Sequence, residues 1–203
     1  MSATDETWER PIPHWSTDPF SGRTTINGLA TDEVRSALHK HIRRGRVEQS
    51  IRAALELART DAEHEAVMWD RLRVIAAEDI GLADPSAPAI VCALWQSAEA
   101  SSPGAYDRLV FAAQAAGYLA TATKDPTLVE IMQVVLHENR VPDIPDEALC
   151  IHTRRGQEMG RTMHDWYTTG TEIDPEFPDR DHTWRDHLAD LYLRLDPPSS
   201  PRM

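Results

Sequence analysis

The sequence has few cysteines and no long apolar run. Cys92 and Cys150 stand in no Cys-x-x-Cys or Cys/His spacing, which argues against a disulfide framework or a zinc site. We expect both thiols to be reduced core residues. The longest apolar run, residues 87–95, contains a proline and is too short to span a bilayer. The N-terminal stretch MSATDETWERPIPHW has neither a basic start nor an apolar centre, so we expect a cytoplasmic protein.

Basic residues are scarce relative to acidic ones. The chain of 203 residues has 21 Lys and Arg against 33 Asp and Glu, which gives a formal net charge of -12. Proteins that coat nucleic acid through bulk electrostatics usually carry a net basic surface, so the charge argues against that class but leaves local basic patches open. The acidic balance also supports an alternative, in which the protein is an acidic adaptor or DNA mimic that occupies a basic partner surface.

Two basic clusters stand out against this background, HKHIRRGR and HTRRGQEMGR. The first ends a predicted helix, where cations complement the helix dipole. The second, if it continues as one helix, alternates in sign on one face as solvated ion pairs do, although its two glycines could equally break the helix. The functional alternative for both is a phosphate or partner contact. Its predicted residues are Lys40, Arg43, Arg44, Arg46, His152, Arg154, Arg155 and Arg161.

The apolar pattern predicts helices throughout. Thr31 opens the first, in which Val34, Leu38 and Ile42 share a stripe that ends before Gly45. Further helices are predicted at residues 47–59, from Thr60-Asp61 to near Glu78, after Ser86, from Ser102-Pro103, from Asp125-Pro126, across residues 146–167, and near the C-terminus with Trp184 and Leu188 on one stripe. No alternating segment bounded by hairpin turns occurs, so we predict an all-α helical bundle.

The distribution of proline predicts the domain boundaries. We expect an extended Pro/Trp-rich arm at residues 1–26 and a helical domain at residues 27–140. The proline cluster VPDIP then introduces a helical C-terminal extension at residues 141–196. Residues 197–203 are predicted to be a disordered tail.

The stretch EDIGLADP raises a physical question, because two carboxylates end a helix that reads apolar until Ala77. Negative charge at a helix C-terminus is unfavourable, so a partner outside the helix should hold it. The candidates are the amides that open the next helix or an arginine from elsewhere. The motif therefore predicts a tight, polar-braced corner between two helices. Its residues are Glu78, Asp79, Gly81, Asp84 and Pro85.

This corner also carries a resemblance. The segment LRVIAAEDIGLADPSAPAIVCALWQSAEA resembles the C-terminal region of the MgsA/RarA family of replication-associated AAA+ ATPases, relatives of clamp-loader subunits, in which an arginine-rich helix leads into an "EDIG.ADP" corner. VEQSIRAALELA and SSPGAYDRLVFAAQAAGYLATATKDPTLVEIM are similar to flanking family segments. Ala115, Tyr118, Leu119 and Lys124 fall on matching positions. The resemblance covers roughly residues 27–137.

The resemblance implies a clamp-loader-collar-like fold for residues 27–140 and self-assembly, often as a tetramer in the family. It implies a scaffold role in DNA replication or repair, a homo-oligomer, an AAA+ ATPase as a candidate partner and at most indirect contact with DNA. The 203 residues contain no Gly-x-x-x-x-Gly-Lys-Ser/Thr phosphate loop. We therefore expect no catalytic residues, no ATP hydrolysis by that mechanism, and neither a cofactor nor a metal.

A class-distinct alternative is a small all-α phosphohydrolase that uses the His/Arg-rich C-terminal part. His164-Asp165 is a bare His-Asp pair, with His137 and Asp186 as further nominal ligands. Imidazole and carboxylate ligands could hold a metal ion that activates water.

Overall fold

The computed structural model describes residues 11–12, 20 and 22–195. Most of the predicted N-terminal arm and all of the predicted tail at residues 197–203 therefore lie outside the described residues. The chain divides into two compact units, Met1–Asn139 and Arg140–Met203. None of the described helices is both long and apolar enough to cross a membrane.

The described part of the first unit is helical. Its helices are α1 (Thr31–Arg43), α2 (Val47–Ala58), α3 (Ala62–Ile75), a π turn (Ala76–Ile80), α4 (Ala87–Glu99), α5 (Tyr106–Thr121) and α6 (Thr127–His137). Within residues 22–195 the only extended pairings are isolated bridges, Thr24 with Ala30 and Gly81 with Asp125. The all-α prediction is thus confirmed for the part of the chain that the structure describes.

The core of this unit forms where the apolar stripes meet. The predicted α1 stripe of Val34, Leu38 and Ile42 is buried. Alanines on α5 pack against the other helices, because a methyl side chain lets helix axes approach closely. The remaining core is supplied chiefly by α3, through Met68, Trp69, Leu72 and Ile75.

Two expectations for this unit are corrected. The helix α5 begins at Tyr106 rather than at Ser102-Pro103, because the Ala105 amide donates to the Ser102 carbonyl at 3.0 Å and closes a turn. Gly104 takes a φ of +76° in this turn. Cys92 is free but only half-buried, as is Cys150 in the second unit, so neither is a core residue.

The second unit consists of short helices. They are a 3-10 turn (Asp146–Ala148), α7 (Arg154–Glu158), α8 (Met163–Thr168) and α9 (Thr183–Leu195). Residues 146–167 do not form one continuous helix, because Gly160 takes a φ of +78° and ends α7; of the two outcomes considered for the glycines, the break is the one found. The stripe predicted near the C-terminus does lie on α9, yet Trp184 is exposed.

Candidate functional site

The acidic corner begins where α3 widens. The chain passes from α3 into the π turn Ala76–Ile80, and the Gly81 amide donates to the Ala76 carbonyl at 3.3 Å. A π turn adds one residue to the helical circuit and often marks a functional position. Here it carries Asp79 into the interior, where the residue is 3% exposed.

Two side chains of α1 hold the buried carboxylate. The Arg43 Nε donates to Asp79 Oδ1 at 2.6 Å, and the His39 Nε2 lies 2.5 Å from Asp79 Oδ2. Because an ionised carboxylate only accepts hydrogen bonds, His39 must donate through Nε2. Arg43 also donates to Glu78 Oε1 at 3.1 Å. Of the two partners considered for this corner, the arginine is the one that the structure shows.

Electrostatics favour the charged form of Asp79. Burial by itself would raise the pKa of Asp79, but the hydrogen bonds from His39 and Arg43 outweigh it and hold the pKa below its usual value. The same contact with Asp79 raises the pKa of Arg43 above its ordinary value. The corner is therefore an internal ion-paired network that ties α1 to the end of α3.

Gly81 brings a second chain segment to the corner. Its φ is +52°, and a Cβ atom there would lie 2.1 Å from the Asp125 carbonyl oxygen, so no side chain fits. The close approach lets the Asp125 amide donate to the Asp79 carbonyl at 2.9 Å. Nearby, Lys124 Nζ donates to the Ala120 and Ala122 carbonyls, and burial lowers its pKa.

The last part of the motif connects α4 to α5. Asp84 accepts hydrogen bonds from the Ser86 hydroxyl and from Tyr118 Oη, each at 2.5 Å. These two contacts lower the pKa of Asp84 below its ordinary value. Pro85 follows in the turn before α4 and is exposed. The whole motif thus fixes α1, α3, α4 and α5 relative to one another.

One group of side chains in the described part of the chain has the spacing of a cation site: His39, Glu78 and Asp79. The Arg43 guanidinium already donates hydrogen bonds to both carboxylates there, and its Nη2 lies 3.0 Å from His39 Nε2. This arrangement serves to brace helices rather than to hold an additional cation.

The other residues of the first predicted basic cluster have separate contacts. Lys40 Nζ donates to Ser36 Oγ at 2.5 Å, and Arg44 Nη1 donates to the Lys40 carbonyl at 3.2 Å near the end of α1. Arg46 is exposed at the start of α2. Of the four cations predicted as contacts here, Arg43 is the one that enters the corner, together with His39 of the same stretch.

The second predicted cluster is divided among local contacts. Arg154 pairs with Glu158 at 2.8 Å, whereas Arg161 pairs with Asp146 instead of continuing the predicted helical face. His152 packs edge-on against Trp166 with ring centroids 5.0 Å apart, and Arg155 is exposed.

Asp165 of the His-Asp pair in the hydrolase alternative has a structural role. Asp165 accepts from the Thr162 amide and hydroxyl, each at 2.9 Å, which forms a capping box at the start of α8. The cation-spaced group within residues 22–195 includes neither His164 nor Asp165.

Sequence reasoning missed a buried ion pair between α3 and α5. Arg108 Nε donates to both carboxylate oxygens of Glu65, at 2.9 and 3.1 Å, and its Nη1 donates to the Ala98 and Ser101 carbonyls at the end of α4. Glu65 shares a helical face with Met68, Trp69 and Leu72, so its position on that apolar face was the available signal.

A second missed cluster has the order of a catalytic triad. Thr31 Oγ1 lies 3.0 Å from His64 Nε2, and His64 Nδ1 lies 2.8 Å from Asp61 Oδ1. Thr31 is 0% and His64 is 3% exposed, so a substrate cannot reach either group. The cluster joins the start of α1 to the start of α3.

The most unusual surface of the first unit is α6. It has no buried residue, and large apolar side chains are exposed over most of its circumference. They are Leu128, Ile131, Met132, Val134, Val135 and Leu136. Glu130, Gln133 and His137 form a narrow polar stripe on α6, and an apolar face as broad as the remainder is normally buried.

Comparison with known proteins identifies the family of this domain. The family model described as MgsA AAA+ ATPase C terminal matches residues 57–176. No curated protein matches the chain. The matched range runs from α2 through the corner and α6 into the second unit.

Proposed function

Because this chain belongs to the MgsA AAA+ ATPase C-terminal domain family, we propose that it is a non-catalytic, self-assembling scaffold of DNA replication or repair. The observation that carries the proposal is the exposed apolar helix α6. Contiguous exposed apolar surface marks an interaction site, because leaving it in water is unfavourable by about 25 cal/mol per Å². Self-association of this domain would cover it.

The internal polar clusters support a scaffold rather than an enzyme. The corner, the Glu65–Arg108 pair and the Thr31–His64 contact all join helices within the first unit. Their side chains satisfy one another. A rigid unit of this kind suits a protein that presents fixed surfaces to partners.

The proposed partners are further copies of this chain and an AAA+ ATPase. Contact with DNA is proposed to be indirect, because the net charge of -12 opposes binding to a phosphate backbone. The exposed cations near the end of α1, Arg44 and Arg46, are too few to reverse that balance.

Light scattering across a concentration series tests the proposal, with and without a forked DNA. We expect a closed oligomer whose mass is unchanged by the DNA. A chain that stays monomeric at every concentration would contradict the scaffold proposal. Salt-sensitive binding of the fork that Arg44→Ala with Arg46→Ala weakens would replace indirect contact with a direct phosphate contact.

A further inference from the structure

The first unit exposes a second apolar surface besides α6. It is a groove of about 640 Å³ between α2 and α5, here called the α2–α5 groove. Gly45, just before α2, lies near Ala120 at the end of α5, so the two helices run antiparallel. Residues that line the groove include Ile51, Leu55, Tyr106, Val110, Ala113 and Gly117.

Two small residues lie on the α5 side of the groove. Ala113 and Gly117 lie four residues apart on α5, on one helical face. Glycine inside a helix costs about 1 kcal/mol relative to alanine, so its presence favours a packing role. Gly117 has room for close contact, because a Cβ atom there would meet only Ile51, at 3.6 Å.

The groove and α6 suit each other in size and chemistry. The eleven-residue α6 is about 16 Å long at 1.5 Å per residue, shorter than the sixteen-residue α5 that forms one wall. An amphipathic or apolar helix that lies in an apolar groove is a common recognition mode. In this chain α6 has no buried residue, so it does not fill the groove of its own unit.

Charge also favours a second copy as the occupant. None of the residues lining the groove is charged, and α6 carries Glu130 as its only acidic residue. Two copies of a chain with a net charge of -12 repel each other, and contact through uncharged surfaces limits that repulsion. A nucleic acid would require cations that neither surface offers.

We propose that α6 of one copy docks in the α2–α5 groove of the next copy. The inference rests on the proposed self-assembly and specifies its contact. Since the two surfaces are different, the contact is heterologous, and repeating it around a closing rotation produces a ring.

Two single variants test this contact by complementation. Ile131→Glu places a charge on α6, and Val110→Glu places one in the groove; both native side chains are about half exposed, 53% and 47%, so the fold should persist. We expect each variant alone to scatter light as a single chain. An equimolar mixture should give the mass of two chains and no more, because the Val110→Glu chain still offers α6 and the Ile131→Glu chain still offers a groove.

The matched control is Gln49→Glu, which adds the same charge to an exposed position of α2 outside the groove. It should assemble as the wild type does, and all variants should keep the wild-type circular dichroism. A mixture that stays monomeric, or a Val110→Glu chain that assembles normally, would overturn the docking proposal while leaving self-assembly intact. A monomeric wild type would overturn both proposals.

Discussion

The first unit buries charged side chains, whereas the second makes its polar contacts close to the surface and mostly between residues close in sequence. In the first unit Asp79 and Glu65 are buried, and each finds an arginine on another helix. In the described residues of the second unit only Gly156 and Thr162 are buried. Its contacts are caps and pairs such as Thr162 with Asp165 and Arg154 with Glu158. Stability in the first unit should therefore depend on tertiary partners, and in the second on local ones.

The sharpest test of this comparison is removal of Arg108. The Arg108→Met variant leaves Glu65 buried without its cation, so we expect a loss of about 3–5 kcal/mol in the free energy of unfolding. Urea denaturation followed by circular dichroism measures it. Arg52→Ala, which removes an exposed pair with Glu48, should cost about 0.5 kcal/mol or less. Equal effects of the two variants would contradict the assignment of a buried pair.

Glycine substitutions test the close approach at the corner. Gly81→Ala combines a positive φ with a clash against the Asp125 carbonyl, and we expect a loss of about 2–4 kcal/mol. Gly45→Ala is the matched control, since its φ is +67° but its Cβ atom would meet Ala120 at 3.6 Å. It should cost about 1 kcal/mol. If thermal melts show no difference, the approach of Asp125 does not contribute to stability.

Asp79→Asn tests the charge of the corner. The pKa of Asp79 is lower in the folded chain than its ordinary value, so the unfolded state binds a proton more readily. The stabilisation that ionised Asp79 gives the folded chain is therefore fully present above about pH 4, and it is lost as the pH falls through the pKa of Asp79 in the folded state. We expect the variant to be about 2 kcal/mol less stable to unfolding than the wild type at neutral pH. On acidification, its free energy of unfolding should fall less than that of the wild type.

Unfolding curves from pH 7 to pH 3 measure both effects. Asp70→Asn, at an exposed carboxylate that pairs with Arg73, is the control and should leave the acid limb unchanged. If the stability of Asp79→Asn falls at acid pH as steeply as that of the wild type, protonation of Asp79 does not contribute to acid unfolding.

The smallest effect is expected in the second unit. Thr162→Ala removes the capping box of α8, which should cost about 1 kcal/mol of helix stability. We expect faster amide hydrogen exchange at residues 163–168. Thr169→Ala, at an exposed position after α8, should leave this exchange unchanged. Exchange that slows or stays constant in Thr162→Ala would mean that tertiary packing, and not the cap, holds α8.

Sequence patterns predicted several elements closely. The helix expected at residues 47–59 is found at Val47–Ala58, and the stripe of Val34, Leu38 and Ile42 is buried. The break after Glu158 was left open, because glycine within an otherwise helical pattern is compatible with either outcome. Gly160 takes a positive φ there, and the spacing of apolar residues along the sequence does not indicate such a backbone conformation.

The candidate site was predictable only in part. EDIGLADP indicated a braced corner, since carboxylates at a helix C-terminus require a partner. It did not identify Arg43, nor the approach of Asp125 that explains why position 81 is glycine. The apolar composition of α6 was visible as well, but its exposure was not.

The sequence by itself determined the helical class, most helix positions and the family, because capping and periodicity depend on residues that are neighbours along the chain. The tertiary structure decided the pairings. Arg43 lies 36 positions from Asp79, and Arg108 lies 43 positions from Glu65. A buried carboxylate reveals that a cation is needed, but among 21 Lys and Arg residues only the packing of helices selects which one.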